Sequence, residues 1–387
     1  MTLFGTNQFS KSHEQSLFVA FVFSPARFCL LKIHSLLFPM LFNCDRISIT
    51  RLPQIVASHC AISLYKEVSK PELYGVQFAG LLAVHQTDTA NKRGHELNQQ
   101  TTVGKSFSVK GIGLHSASPV NVTVKPAPPY TSYLFRRTDL NDFEIPAAPQ
   151  YVSHVSYATT LMKSGVMIST VEHLLSALYG CGVDNVFIDV DSLEVPILDG
   201  SSQQWVEFIR QSGIVELPAQ RPYLRVLKRI SVSEKNRTMS IEPADEFRIT
   251  CEIDFNHPMI GVQQYEVSFQ VADYSREIAP ARTFGFVEEI EMLKQNGLAR
   301  GGSLDNAIAL TREGFLNSEP LRFQDEFVRH KILDIIGDLA LAGMPILGHV
   351  RAARSGHGLH TMLLSALLRD RHAWEVTTVP KQGFQTV

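Results

Sequence analysis

The chain has 387 residues, 44% hydrophobic and 19% charged, a globular composition that excludes a disordered, collagen-like or low-complexity polypeptide. Its 36 Lys/Arg against 38 Asp/Glu give a formal net charge of −2, which argues against a general nucleic-acid binder. The five scattered cysteines (Cys29, Cys44, Cys60, Cys181 and Cys251) include no CxxC pair, so any metal would fall to His and carboxylates rather than thiolates.

Residues 1–97 stand apart. They carry nine Lys/Arg and six Asp/Glu, against a net charge of −5 for the remainder. Their apolar runs, 17–23 and 36–42, are broken by Pro25, Arg27, Lys32 and Pro39. Neither run approaches the roughly 18 uninterrupted apolar residues of a membrane span. Lys11 and Glu14 precede the first run and no small-residue cleavage site follows, unlike a secretory signal. The expectation is an extension outside the folded unit, poorly ordered or helical only against a membrane. The alternatives are an organelle-targeting or membrane-associated segment.

From Gln99 onward, alternation predicts strands at 103–110 and 120–125. A helix is expected at 171–178, stopped by Gly180-Cys181-Gly182, then a buried strand at 183–190 and a helix at 203–211 closed by Gly213. Two prolines mark 216–222 as a linker. Strands follow at 223–232, 239–242, 248–255 and 265–271. A helix at 287–296, capped by Gly297, reads as an insertion. The last elements are a helix at 325–341 ending at Gly343, a strand at 346–353 and a helix at 358–369. Each half runs strands, helix, strand, helix. The predicted class is α+β, with two similar domains at 98–218 and 219–375 and a tail at 376–387.

Three segments carry chemistry. In the 325–341 helix, His330, Asp334 and Asp338 recur every fourth residue and share one face. Such a stripe can chelate a metal, as HExxH does, or can simply be a solvated face with a His–Asp pair. In Ser169-Thr170-Val171-Glu172-His173, Ser169 and Glu172 fit a capping box. His173, however, lies in the first helix of one half as His330 does in the corresponding helix of the other. If those helices meet, His173, His330 and Asp334 supply three ligands and leave a fourth position open, as in catalytic zinc sites, with Glu172 beside them. In Ser355-Gly356-His357-Gly358, glycines expose a His at a helix start, either for proton transfer or as an ordinary turn.

These strings, taken together, closely resemble the UDP-3-O-acyl-N-acetylglucosamine deacetylase (LpxC) family. The matches are GIGLHS (111–116), STVEHLLSAL (169–178), EVPILDGS (194–201), ARTFGF (281–286), GGSLDNAI (301–308), FVRHKILDIIGDLALAG (327–343) and SGHGLH (355–360). They occur in the family's order. Gly358 stands where many relatives have Ala, and residues 1–97 match nothing in the family.

The resemblance implies two β-α-α-β sandwich domains with the active site at their interface. It implies zinc, with iron(II) as the alternative, on His173, His330 and Asp334. Glu172 is then the base, His357 the cationic acid with Asp338 beside it, and Lys331 and Thr283 line the site. Substrate contacts are implied at Phe284, Val287, Ile290, Gly302, Ser303 and Leu304, the insertion walling an acyl tunnel. The implied reaction removes the N-acetyl group of a UDP-linked 3-O-acyl-glucosamine, the committed step of lipid A biosynthesis. The implied enzyme is a cytoplasmic monomer with no nucleic-acid partner, in peripheral contact with a membrane at most.

Overall fold

Strands with one buried face and helices that bury one face or, as at 172–178, their whole circumference dictate a layered arrangement, which a computed structural model describes for residues 16–24, 27–34, 98–269 and 273–379. The chain divides into Met1–Leu73 and Tyr74–Val387. In the first unit Ser16–Ser24 (β1) pairs antiparallel with Arg27–His34 (β2). A strand pair was not among the expectations for the extension, whose remaining residues lie outside the described ones.

The first half of the second unit contains Gln99–Val103 (β3), Phe107–Ile112 (β4), Pro119–Pro126 (β5), Tyr133–Arg137 (β6) and Phe143–Pro146 (β7). Three short strands, Val152–His154 (β8), Thr160–Lys163 (β9) and Val166–Ile168 (β10), make a separate sheet. Helix Glu172–Gly180 (α1), strand Val186–Val190 (β11), helix Gln203–Ser212 (α2) and strand Ile214–Gln220 (β12) follow. Alternation along β5 buries Val120, Val122 and Val124, which belong to the same core as Trp205, Val206 and Ile209 of α2.

The second half begins with Tyr223–Val226 (β13), Ile230–Glu234 (β14), Arg237–Glu242 (β15), Phe247–Phe255 (β16) and Gly261–Ser268 (β17). A helical turn, Tyr274–Glu277 (α3), leads to Phe284–Phe286 (β18), helix Val287–Gln295 (α4) and Ile308–Leu310 (β19). Helix Glu326–Leu339 (α5), strand Ile346–Ala353 (β20), helix His357–Arg369 (α6) and strand Trp374–Thr377 (β21) complete it.

The halves repeat strand for strand. The first sheet runs β4-β5-β11-β6-β7, with β11 antiparallel to β5 and parallel to β6. In the second, β20 is antiparallel to β15 and parallel to β16, with β14 and β17 outside them. The strand before each sheet also matches. β13 runs parallel to the start of β20 and pairs with β21. Likewise β3 bridges Asn185, just before β11, and pairs with β12. The fold is α+β and duplicated.

Three expectations change. The strand predicted at 103–110 is two strands, because Gly104 turns the chain and donates from its N to the Gly213 carbonyl at 2.8 Å. The strand predicted at 223–232 likewise breaks at 227–229, where the Leu227 N–H turns to the Ala373 carbonyl. Most of the segment read as a linker is β12, whose backbone pairs with β3 despite Pro218 because an edge strand tolerates proline. Strands β6 to β10 carried no sequence signal. They are three to five residues long, and loops with left-handed Tyr130, Ser132, Asn141 and Asp142 interrupt them.

Candidate active site

Helices α1 and α5 cross where one side chain is missing. A Cβ on Gly337 would lie 2.1 Å from the Glu172 carbonyl oxygen. Glycine inside a helix costs about 0.5–1 kcal/mol relative to alanine, and here it permits backbone-to-backbone contact. That contact brings Glu172 and His173, in the first turn of α1, to the face of α5 that carries His330, Asp334 and Asp338. The solvated-face reading of that stripe fails, since all three α5 residues are only 2% exposed. The capping box also does not form. The Ser169 N–H donates to Leu193 O, and the Glu172 carboxylate accepts instead from the Thr159 N–H at 3.0 Å.

His173, His330 and Asp334 offer ligand atoms within 4.8 Å of one another. Nε2 of His330 lies 3.4 Å and Nε2 of His173 3.8 Å from Asp334 Oδ1. The two rings are nearly perpendicular, with centroids 5.0 Å apart. His330 donates from Nδ1 to the Ala281 carbonyl at 3.0 Å, which leaves the Nε2 lone pair facing the cluster. His173 Nδ1 is buried with no protein partner. Burial pushes His173 down to about 3, with His330 adding to the effect, and burial also lowers His330. Both rings are therefore neutral at pH 7. Burial disfavours the Asp334 charge, but Lys331, whose Nζ is 2.9 Å from Oδ2, and the His357 imidazolium hold the carboxyl below its usual range. Two neutral imidazoles and one carboxylate suit a divalent ion of borderline softness.

Beside this cluster lies a second one. Asp338 Oδ2 is 2.7 Å from Nδ1 of His357 and 2.7 Å from Nδ1 of His360, while Oδ1 accepts from Thr159 Oγ1 at 2.5 Å. Burial opposes the His357 cation, but Asp338, by charge and hydrogen bond, and then Asp334 and Glu172 outweigh it and raise His357 to about 9. Burial raises Glu172 to about 7, with Asp338 and Asp334 pushing the same way against His357. A carboxylate near neutrality facing an imidazolium is the pairing expected of a base and an acid.

The loops named in the sequence bond largely to one another, and the 281–286 segment reaches the cluster. Glu194 accepts from the N–H groups of His115 and Ser116 at 2.9 and 2.8 Å, and from Thr170 Oγ1 at 2.8 Å. Thr283 N donates to Gly200 O at 2.8 Å. Gly301 lies against Gly113, where a Cβ would sit 2.2 Å from the carbonyl oxygen. Phe284 packs edge-on against Phe327, 6.4 Å from the His330 ring centroid and 5.7 Å from Lys331 Nζ. Val287 and Ile290 are half-buried on α4. Gly302, Ser303 and Leu304 follow a loop that meets Leu114 and His115 rather than the His–Asp cluster, with Ser303 and Leu304 exposed.

Sequence reasoning missed four contributors: Thr159, His360, Gly337 and the buried pair Arg282–Glu326. That pair, with Nε to Oε1 at 2.9 Å, ties the 281–286 segment to the start of α5. His360 had a signal, three residues after His357 on one helix face. Thr159 had none.

The sequence model of UDP-3-O-acyl N-acetylglycosamine deacetylase matches residues 100–369. A UDP-3-O-acyl-N-acetylglucosamine deacetylase from Solibacter usitatus is 47% identical over 279 residues, 72% of this chain and 94% of its own length. One from Myxococcus xanthus is 46% identical over 287 residues, 74% of this chain and 91% of its own length. One from Idiomarina loihiensis is 44% identical over 288 residues, 73% and 94% of the two lengths.

Proposed function

The chain belongs to the UDP-3-O-acyl N-acetylglycosamine deacetylase (LpxC) family, and from that premise we infer the activity and the role of each residue. It is a deacetylase that hydrolyses the N-acetyl amide of UDP-3-O-acyl-N-acetylglucosamine, the committed step of lipid A biosynthesis. The observation that carries the residue assignment is the convergence of His173, His330 and Asp334, with Glu172 and His357 electrostatically coupled to Asp334.

His173, His330 and Asp334 hold one divalent ion, zinc in this reading and iron(II) as the alternative. When bound, such an ion supplies Lewis acidity that lowers the pKa of water toward about 7 and polarises an amide carbonyl. Glu172 removes a proton from the attacking water as its oxygen bonds to the acetyl carbon. Thr283 and Lys331 flank the carbonyl and favour charge developing on its oxygen. His357, protonated and held by Asp338, gives its proton to the amine nitrogen as the C–N bond breaks. Acetate and the free glucosamine amine result. Phe284, Val287 and Ile290 line the acyl path, and Gly302, Ser303 and Leu304 contact substrate beyond it. No helix among the described residues is long and apolar enough to cross a membrane. Our reading is a monomer acting in the cytoplasm.

Acetate release from the UDP-linked acyl-sugar, measured with metal content in the same preparations, tests this. The expected result is acetate in step with free amine, lost together with metal in His330→Ala. A metal-loaded protein that releases no acetate from this substrate overturns the activity. Full metal in His330→Ala overturns the ligand set.

A further inference from the structure

We propose that His360 is a positioning residue for the proton donor: a neutral Nδ1–H donor that shares the Asp338 carboxylate with His357 and is itself fixed by Ser355. The proposal rests on the reading of His357 as the donor to the leaving amine.

Hydrogen-bond inventory carries the argument. An ionised carboxylate only accepts. Asp338 is ionised, because His357 outweighs the burial that would protonate it and holds it down to about 2. Its three neighbours, His357 Nδ1, His360 Nδ1 and Thr159 Oγ1, must therefore all donate. The two imidazoles meet the same oxygen, Oδ2, each at 2.7 Å. His360 is fully buried, and burial lowers it, with Asp338 working against that effect. A neutral ring has a single N–H, and Asp338 requires it at Nδ1. The other nitrogen, Nε2, then accepts, and the Ser355 hydroxyl lies 3.0 Å from it. The result is a directed chain: Ser355 O–H to His360 Nε2, His360 Nδ1–H to Asp338, and Asp338 to the His357 Nδ1–H.

The local fold builds this chain. His357 and His360 lie three residues apart in the first turn of α6 and so share a face. The His360 N–H closes that turn on Gly356 O at 3.1 Å. The other charged groups facing the chain are Glu172 from α1 and Asp334 and Lys331 from α5. With donors on both oxygens, the Asp338 carboxylate cannot turn without breaking several bonds. It therefore holds the His357 ring at Nδ1, leaving Nε2 as the nitrogen that meets substrate. A donor held in one orientation acts in the transition state, so its loss should appear in kcat rather than KM.

Two measurements on the full chain test this. Histidine-selective 15N NMR of the wild-type protein should show His360 neutral, with its proton on Nδ1, throughout pH 6–9. An imidazolium or an Nε2–H ring there overturns the proposal. Kinetics on the UDP-linked acyl-sugar then compare His360→Asn, whose amide N–H falls where Nδ1–H was, with His360→Gln, which carries it one bond further out. His360→Gln should lose about tenfold in kcat with KM held within about twofold and its alkaline limb displaced, and His360→Asn should recover most of that loss. Equal losses in both variants, or wild-type kcat and pH profile in His360→Gln, overturn it. His357→Gln separates the two readings. If it keeps wild-type kcat, the donor assignment itself fails. If it is impaired while His360→Gln is not, only the role of His360 fails.

Discussion

Glu172 is one residue from a candidate metal ligand, yet its carboxylate turns to the Thr159 N–H and is not part of the ligand cluster. Glu172→Ala should therefore retain the metal and lose on the order of 10²–10⁴ in rate, the usual worth of a general base. Metal analysis beside a turnover assay checks this, and loss of metal would make Glu172 a ligand. His357 differs because its charge is maintained by Asp338. Its pKa rises from 6.5 to about 9 in the fold. The stability it contributes is complete below pH 6.5 and disappears as pH climbs through about 9. The Tm advantage of wild type over His357→Gln should thus be largest near pH 6 and shrink toward pH 9, in melts recorded across that range. Turnover should fall on the same alkaline limb, and His357→Gln should lack that limb. An advantage that grows with pH would contradict the ion pair.

At the scale of elements, the contact between α1 and α5 assembles the site. Gly337→Ala replaces a residue of low helix propensity, which alone would stabilise the helix by about 0.5–1 kcal/mol. Its methyl group would instead press on the Glu172 carbonyl at 2.1 Å. Overpacking of this kind costs about 1–3 kcal/mol, and separating the helices moves base and ligands apart. Urea unfolding should show net destabilisation, and kcat should fall roughly a hundredfold, as ångström-scale misplacement does. A variant as stable and active as wild type would mean that the helices slide freely. Helix α4 makes a separate prediction. Val287 and Ile290 are half-buried on it, with Ile290 beside Gly285. Burial of an acyl chain contributes about 0.8 kcal/mol per CH₂. Ile290→Glu should therefore raise KM steeply for long-chain substrate and little for a substrate lacking the acyl group. Equal effects on both would remove α4 from the acyl path.

At the scale of the molecule, the two ends of the described part of the second unit are tied together. The Asn98 N–H donates to Val379 O at 3.1 Å, and its side chain donates to the Tyr223 hydroxyl at 3.0 Å. These bonds tie the first described residue of that unit to its last. Every residue assigned to chemistry lies beyond this point, and the family match begins at residue 100. A chain beginning at Glu96 should fold, bind one divalent ion and deacetylate at a rate close to that of the full chain. Loss of most activity on truncation would show that residues 1–95 contribute to the catalytic unit.

What the sequence determined by itself was whatever a period or a local string encodes. The 3.6-residue repeat placed α1, α2, α5 and α6 to within a residue or two. The i,i+4 spacing put His330, Asp334 and Asp338 on one face, and seven ordered strings pointed to the family. Tertiary structure decided the rest, because it depends on what a segment meets rather than on what it contains. Whether the His330 stripe faced water or a partner helix depended on Gly337 finding the backbone of Glu172, some 165 positions away in the chain. The linker became β12 because β3 offered it a backbone to pair with. Thr159, a loop residue without a motif, holds both Glu172 and Asp338 only because three distant segments meet around it. Hydrogen bonds between residues far apart in the chain leave no period to read, so they emerge only when the chain is folded.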